Sequence, residues 1–414
     1  MKTTISVLAA TSMFALASPA LAAPGAPIKV SDTVTFDPIV EGRLRYESVD
    51  QDNALKNAEA VTMRMRAGGE LTISGFSLLA EAEGTLAIGD HYNDTIAGNN
   101  GYLGAEPYSV VADPENVEIN RLQIGYKGKG GSVTIGRQRI VLDNARFVGN
   151  VGWRQNEQTF DAVRGISKFG PVTLDATYAI SQRTIFGVDS PREHMDGNLI
   201  LLNGGIDIKP VAVKGFAYLL DYDKGQPFNS LPLSSKTFGV LAKGGIPLGG
   251  KAKLDFMASY ARQSDYKDNP VDYSADYIAA ELGASVAGFG LKAGYEELGS
   301  DHGLAAFQTP LATLHAFNGW ADLFLTTPNA GLRDYYGSIG KGFGDLGPLK
   351  NLNAQVVYHK FEADFGGADY GEEWDASLGF KVKNYSVLLK YADYSADTFS
   401  VDTRKFWFQI EFSY

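Results

Sequence analysis

Ionisable residues recur at alternate positions through the first third of this chain. Glu41, Arg43, Arg45 and Glu47 share one parity, and Arg64, Arg66 and Glu70 share one in the next segment. Glu81 and Glu83 follow, then Arg121, Arg137 and Arg139. On an extended backbone, residues of one parity project to one face, so each set of charges lies on one side of its strand. Two kinds of chemistry are open to them. Arginines and glutamates on adjacent strands can pair and stiffen a wall. Alternatively, surplus arginines can line a path and lower the barrier for anions, because rings of Arg or Lys favour them. A second group is denser: Gly136-Arg-Gln-Arg-Ile140, then Phe147 to Ala162, a run rich in amide, arginine and tryptophan side chains that includes Arg154 and Asp161, with Arg146 just before it. Amides hydrogen-bond hydroxyls, arginine clamps carboxylates in bidentate fashion, and tryptophan stacks on sugar rings. The same run could also fold against an inner wall and narrow a channel without recognising a solute.

The elements that must hold these residues are strands. In the last nine residues, Phe406, Phe408, Ile410, Phe412 and Tyr414 share one parity, and Lys405, Trp407, Gln409, Glu411 and Ser413 alternate with them. A terminal strand that is apolar outward, mostly polar inward and aromatic at its end is typical of outer-membrane barrels. The other terminus agrees. Met1-Lys2 precedes an apolar run from Ile5 to Leu16, and Ala20-Leu21-Ala22 supplies a small-x-small cleavage site. The run is too short to span a bilayer, so residues 1–22 read as a secretory signal and 23–33 as a short periplasmic lead. The mean hydropathy of −0.12 argues against a bundle of membrane helices. An exported membrane protein without apolar helices must satisfy its backbone as a closed barrel.

Composition fits one all-β unit over 34–414: 47 Gly, 21 Tyr, 23 Phe and no Cys, with only 21% charged residues. Tight turns are expected at Ser74-Gly75, Gly128 to Gly131, Gly170-Pro171, Lys209-Pro210, Pro247 to Gly250, Ala287 to Gly290, Gly344 to Pro348 and Lys383-Asn384. Longer polar connections lie near 51–59, 91–116, 143–157, 185–197, 223–234, 265–272, 300–331, 364–371 and 396–402. Turns alternating with loops in this way predict an antiparallel, up-and-down transmembrane β-barrel of about eighteen strands, sixteen being possible, with short periplasmic turns and longer extracellular loops. Charged and apolar residues share a parity in 131–142 and 158–169, where a bulge is expected.

The succession Asn120 to Tyr126, Gly136-Arg-Gln-Arg139 and Arg146 to Ala162 resembles the alginate export family of outer-membrane channels. The resemblance implies a monomeric single-chain barrel whose arginine-rich constriction passes an anionic uronate polymer. Arg121 and Arg139 would then be constriction arginines, and Asp161 an acidic partner on the facing wall. Later strands carry Lys214, Lys243, Lys253 and Lys292 where the first third carries arginines.

No Gly-x-Ser-x-Gly elbow, His-Glu-x-x-His pair or Walker loop occurs, and the five histidines are scattered. No enzymatic activity, cofactor, metal or nucleic acid is therefore expected. The expected location is the outer membrane of a Gram-negative bacterium, with membrane lipid and the barrel-assembly machinery as partners. The leading expectation is a passive channel for an anionic sugar, polysaccharide or other small-molecule solute, lined by Arg43, Arg45, Arg64, Arg66, Arg121, Arg137, Arg139, Arg146, Arg154 and Asp161. A general uptake porin for small solutes is the alternative within transport, and a structural or adhesive barrel with an occluded lumen is the alternative outside it.

Overall fold

A strand with lipid on one side and a lumen on the other must alternate its side chains and bond its backbone to neighbours. The computed structural model, which describes residues 27–97, 107–250 and 252–414, shows eighteen long strands doing so in one closed antiparallel sheet. The expected signal segment, the start of the lead and part of the 91–116 connection fall outside the described residues. The first half comprises β1 (Val34–Gln51), β2 (Ala58–Ile73), β3 (Phe76–Ala87), β4 (Asn116–Lys127), β5 (Gly131–Gln138), β6 (Thr159–Phe169), β7 (Val172–Arg183), β8 (His194–Ile208) and β9 (Val211–Tyr222). The second comprises β10 (Ser235–Gly249), β11 (Ala252–Asp265), β12 (Ser274–Val286), β13 (Phe289–Leu298), β14 (Leu332–Leu346), β15 (Leu349–Glu362), β16 (Asp369–Val382), β17 (Tyr385–Ala396) and β18 (Thr403–Ser413). Each strand pairs with its sequence neighbours, and β18 closes on β1 from Glu41 opposite Ser413 to Gln51 opposite Thr403. Every expected tight turn joins two strands of the sheet, as the alternation of turn residues required.

The outward parity is apolar around the whole circumference. Leu122, Ile124, Phe238, Tyr260, Leu282, Ile339 and Trp374 are among its exposed side chains. Exposed apolar area on this scale is stable against hydrocarbon and not against water, so the belt places the barrel in a membrane. At the seam, Trp407, Gln409 and Glu411 of β18 point inward and are buried, while Phe406 and Phe408 point out. The Phe412 ring lies across Gly42 of β1, where an added Cβ would stand 2.1 Å from a ring carbon. The bare glycine gives the closing aromatic residue its seat.

Two of the wall's bulges lie beside the charged segments. In β4 the pairing steps from Glu81–Arg121 to Ala82–Ile119, leaving Asn120 as the extra residue. In β7 it steps from Asp161–Ser181 to Ala162–Ala179, leaving Ile180. The irregularity expected within 158–169 thus sits in the partner strand. Within 131–142, β5 stops at Gln138 after Gly136, whose φ of 117° is open to glycine.

Gly42→Val should expel the Phe412 ring, and Phe412→Ser should empty the seat. Both variants should lower the fraction of heat-modifiable folded barrel in membranes, read by gel shift. Wild-type levels in both would show that the seam does not depend on this contact.

Candidate functional site

The connection between β5 and β6, residues 139–158, does not cap the barrel. It crosses the lumen as a strap and returns. Leaving β5, its Asp143 forms an ion pair with Lys214 of β9. Arg146 then reaches β13, donating to Glu296 at 2.7 Å, and also bonds Thr309 and Asn318 of the 299–331 connection. Phe147 packs among Phe216, Tyr277 and Phe307, with ring centroids 4.9, 5.0 and 6.0 Å away. Val148 makes a parallel bridge to Leu311, and the Gly149 amide donates to the Leu311 carbonyl at 2.8 Å. A Cβ on Gly149 would lie 2.2 Å from the Thr313 hydroxyl oxygen, so this crossing of two loops requires glycine. The 299–331 connection is folded inward as well, burying Phe307, Leu311, Trp320 and Phe324.

The far side of the strap reaches β1, β2 and β18, where the first charged set waits. Arg43 donates to the carbonyls of Trp153 at 3.0 Å, Arg154 at 2.9 Å and Gly152 at 3.1 Å. Its remaining edge holds Glu411. Arg45 donates to Gln409 at 2.9 Å and to the Trp153 carbonyl, and its guanidinium stacks 4.2 Å from the Trp153 ring. Arg154 of the strap donates to Glu47 at 2.7 Å. Arg66 is held by Glu83, Glu41 and Glu157, and Arg64 lies 3.6 Å from Glu41. Arg43, Arg45, Arg64 and Arg66 are each only 1% exposed. Three backbone carbonyls of one turn aimed at a single guanidinium make a cap that water cannot easily replace. Burial alone would raise the Glu157 carboxyl, yet Arg139 and Arg66 hold it well below the usual carboxylate range.

Trp153 is the strap's anchor. Its ring stacks on His315 of the 299–331 connection at 4.2 Å and 5°, and Trp407 meets it edge-on at 5.7 Å. Lys390 of β17 lies 4.2 Å from the Trp153 centroid and 3.7 Å from that of Trp320. Its ammonium donates to Nε2 of His315 at 2.6 Å, while Nδ1–H of the same ring donates to Asp322 at 2.7 Å. Burial pushes the His315 imidazole down to about 3, against the pull of Asp322 and with the help of Lys390.

The sequence-derived set therefore divides. Arg43, Arg45, Arg64 and Arg66 lie beneath the strap, and Arg146 and Arg154 lie within it. Arg121 pairs with Glu81 and Arg139 with Glu157, both at its edge and with 16% and 18% of their side chains exposed. Arg137 and Asp161 are not lumen residues. They pair with each other at 2.9 Å, and Arg137 stands opposite Leu122, whose side chain is among those facing lipid. Arg137 shares the parity of the outward Val133 and Ile135, and Asp161 that of the outward Val163, so reading every strand charge as luminal misplaced them. His315, Lys390 and Glu296 were missed. Inward parity in β17 marks Lys390, but no local signal links it to a histidine 75 residues away.

The more accessible lumen cations lie on the opposite wall. Lys214, Lys243, Lys253 and Lys292 share the inward parity of β9, β10, β11 and β13. Lys214 and Lys253 keep 36% of their side chains exposed, each beside an aspartate, and Lys292 pairs with Glu281. Lys243 is exposed and makes no ion pair among the described residues.

This architecture has solved counterparts. The outer membrane protein OpdK from Pseudomonas aeruginosa superposes with a TM-score of 0.70 at 13% identity, covering 92% of this chain and 98% of that one. OpdK with vanillate gives 0.69 at 13% over 92% and 98%, and a BenF-like porin from Pseudomonas fluorescens Pf-5 gives 0.70 at 12% over 92% and 98%. The fold is that of the outer-membrane porins. The chain is accordingly an outer-membrane barrel of the Gram-negative type. No protein-family model and no curated protein sequence matches it. The resemblance to the alginate export family is overturned by these neighbours, which are porins of the OpdK kind. The forty residues that carried it encode an inward-folded strap and its anchors, and say nothing of a polymer.

Arg43→Met should strand Glu411 and three carbonyls, so it should destabilise the barrel by about 3–5 kcal/mol, as removing one partner of a buried pair does. Thermal unfolding in detergent measures this, and an unchanged midpoint would contradict the bracing role. The strap should also loosen in acid. A free histidine titrates near 6.5 and the packed His315 near about 3, so the unpacked state takes up a proton that the packed one refuses. Packing is at full strength above about pH 6.5 and declines as pH falls toward about 3. Trp153 fluorescence should report that decline in wild type, and His315→Gln should flatten it.

Proposed function

We propose that this protein is a passive, non-enzymatic pore through which small anionic solutes diffuse across the outer membrane. The observation that carries the reading is the contrast between two walls of one lumen. The arginines beneath the strap are neutralised and buried, whereas the lysines of β9 to β13 stay partly open to the lumen. A fixed cation steers a passing anion only where water and solute can reach it, so the lysine wall is the selective one. The strap and the 299–331 connection both fold into the lumen and narrow it, which favours small solutes over polymers. The porin fold supports the reading, and OpdK has been crystallised with vanillate, a small aromatic carboxylate.

Lys243→Glu should move the reversal potential under a salt gradient toward cations in a planar bilayer. The shift should be large near 0.1 M salt, where the screening length is about 10 Å, and small near 1 M, where it is about 3 Å. An unchanged potential at low salt would remove the lysine wall from the selectivity mechanism.

A further inference from the structure

The ion pair between Asp143 and Lys214 differs from every other contact of the strap. Elsewhere the strap is fastened by buried hydrogen bonds, ion pairs and ring contacts. Here the lysine is 36% exposed while the aspartate is 11% exposed, so one partner faces the lumen and the other belongs to the strap. Asp143 and Ala145 both have positive φ, 56° and 64°, a conformation that side-chain-bearing residues adopt at a cost. The strap thus bends under strain at the point where its tie is most accessible. Next to the tie lies a narrow pocket beneath the strap, aromatic on one side with Phe147, Phe216, Tyr218 and Tyr277, and polar on the other with Asp143 and Arg146. Lys214, Phe216 and Tyr218 alternate along the inward face of β9, so the cation stands at the end of an aromatic row.

We propose that Lys214 is a solute-binding subsite held closed by Asp143, and that a solute carrying one negative charge on an apolar body displaces Asp143 and releases the strap's bend. The inference rests on the pore reading above and adds a device to it. The solute's anionic group takes the ammonium in place of the Asp143 carboxylate, and its apolar body enters the aromatic row as Phe147 moves away. Release of the two positive-φ residues favours the displaced state. With its lysine open to the lumen, the ion pair is screened on one side, so a millimolar solute can compete with it. A neutral molecule of the same shape offers the lysine nothing and leaves the tie closed. Polymers fail for a different reason: the row beneath the bend has no room for a chain.

The test is equilibrium binding of benzoate, with benzamide as the neutral isostere, to the detergent-solubilised barrel by calorimetry. Single-channel current is recorded in parallel. Asp143→Asn removes the competitor and keeps the shape, so benzoate should bind about threefold to fivefold more tightly than to wild type. Lys214→Met should lose benzoate binding, and benzamide should bind none of the proteins. The exchanged pair Lys214→Asp with Asp143→Lys restores the tie without the wall cation and should not bind benzoate. Equal benzoate affinity in wild type and Asp143→Asn would overturn the displacement mechanism, as would retained binding in Lys214→Met. Either result could accompany a normal anion-preferring conductance, which would leave the pore reading standing. Absence of conductance with binding as predicted would sink the pore reading and leave the subsite.

Discussion

Everything inside this barrel depends on the bonds between two arginines of the first strand and the backbone of one turn. Arg43 and Arg45 both donate to carbonyls of the Gly152–Arg154 stretch, in a space shared with Glu411 and Gln409 of the closing strand. Charge-assisted bonds to carbonyls are strong when water is excluded and costly when one side is removed. They convert a twenty-residue connection into a fixed diameter of the lumen. The same bonds tie the strap to the seam, because Arg43 and Arg45 face β18 directly. Closure of the barrel and placement of the strap are thus coupled through one pair of side chains.

Once the strap is fixed, the lumen has two unlike walls. The arginine wall is dense in charge and closed to solute, each cation facing a carboxylate or carbonyl. The lysine wall is sparse and open. Net composition hides this difference, since the whole chain carries −11. A solute responds to accessible charge, and burial decides which charges are accessible. The aromatic packing around Phe147 and Trp153 gives the strap contacts at both walls, with His315 and Lys390 joining the second inward connection to the same core.

Strand count, turns and lipid-facing residues were legible because lipid imposes a period of two on every strand. In 374–378, for example, Trp374, Ala376 and Leu378 alternate with Asp375 and Ser377, and the observed exposure follows that order. What stands opposite an inward residue was not legible. Arg43 and Arg121 have the same parity signature as a pore lining, yet one lies beneath a strap and the other at its edge. Burial by a loop 110 residues away leaves no trace in the local pattern. Arg137 and Asp161 show a second limit. Their parity is that of the outward Val133, Ile135 and Val163; the expectation that a strand charge must line the lumen failed because the two residues pair with each other beside Leu122. The family resemblance failed for a related reason, since the motif records how a strap is anchored and strap anchoring is not cargo.

If the strap sets the passage, it narrows the lumen without sealing it. Swelling of proteoliposomes containing the purified barrel measures this directly, with small carboxylates and a series of uncharged oligosaccharides as solutes. The small carboxylates should enter quickly and the oligosaccharides should be excluded. Entry of oligosaccharides at a comparable rate would mean that the strap does not set the passage, and entry of neither would mean that the lumen is closed.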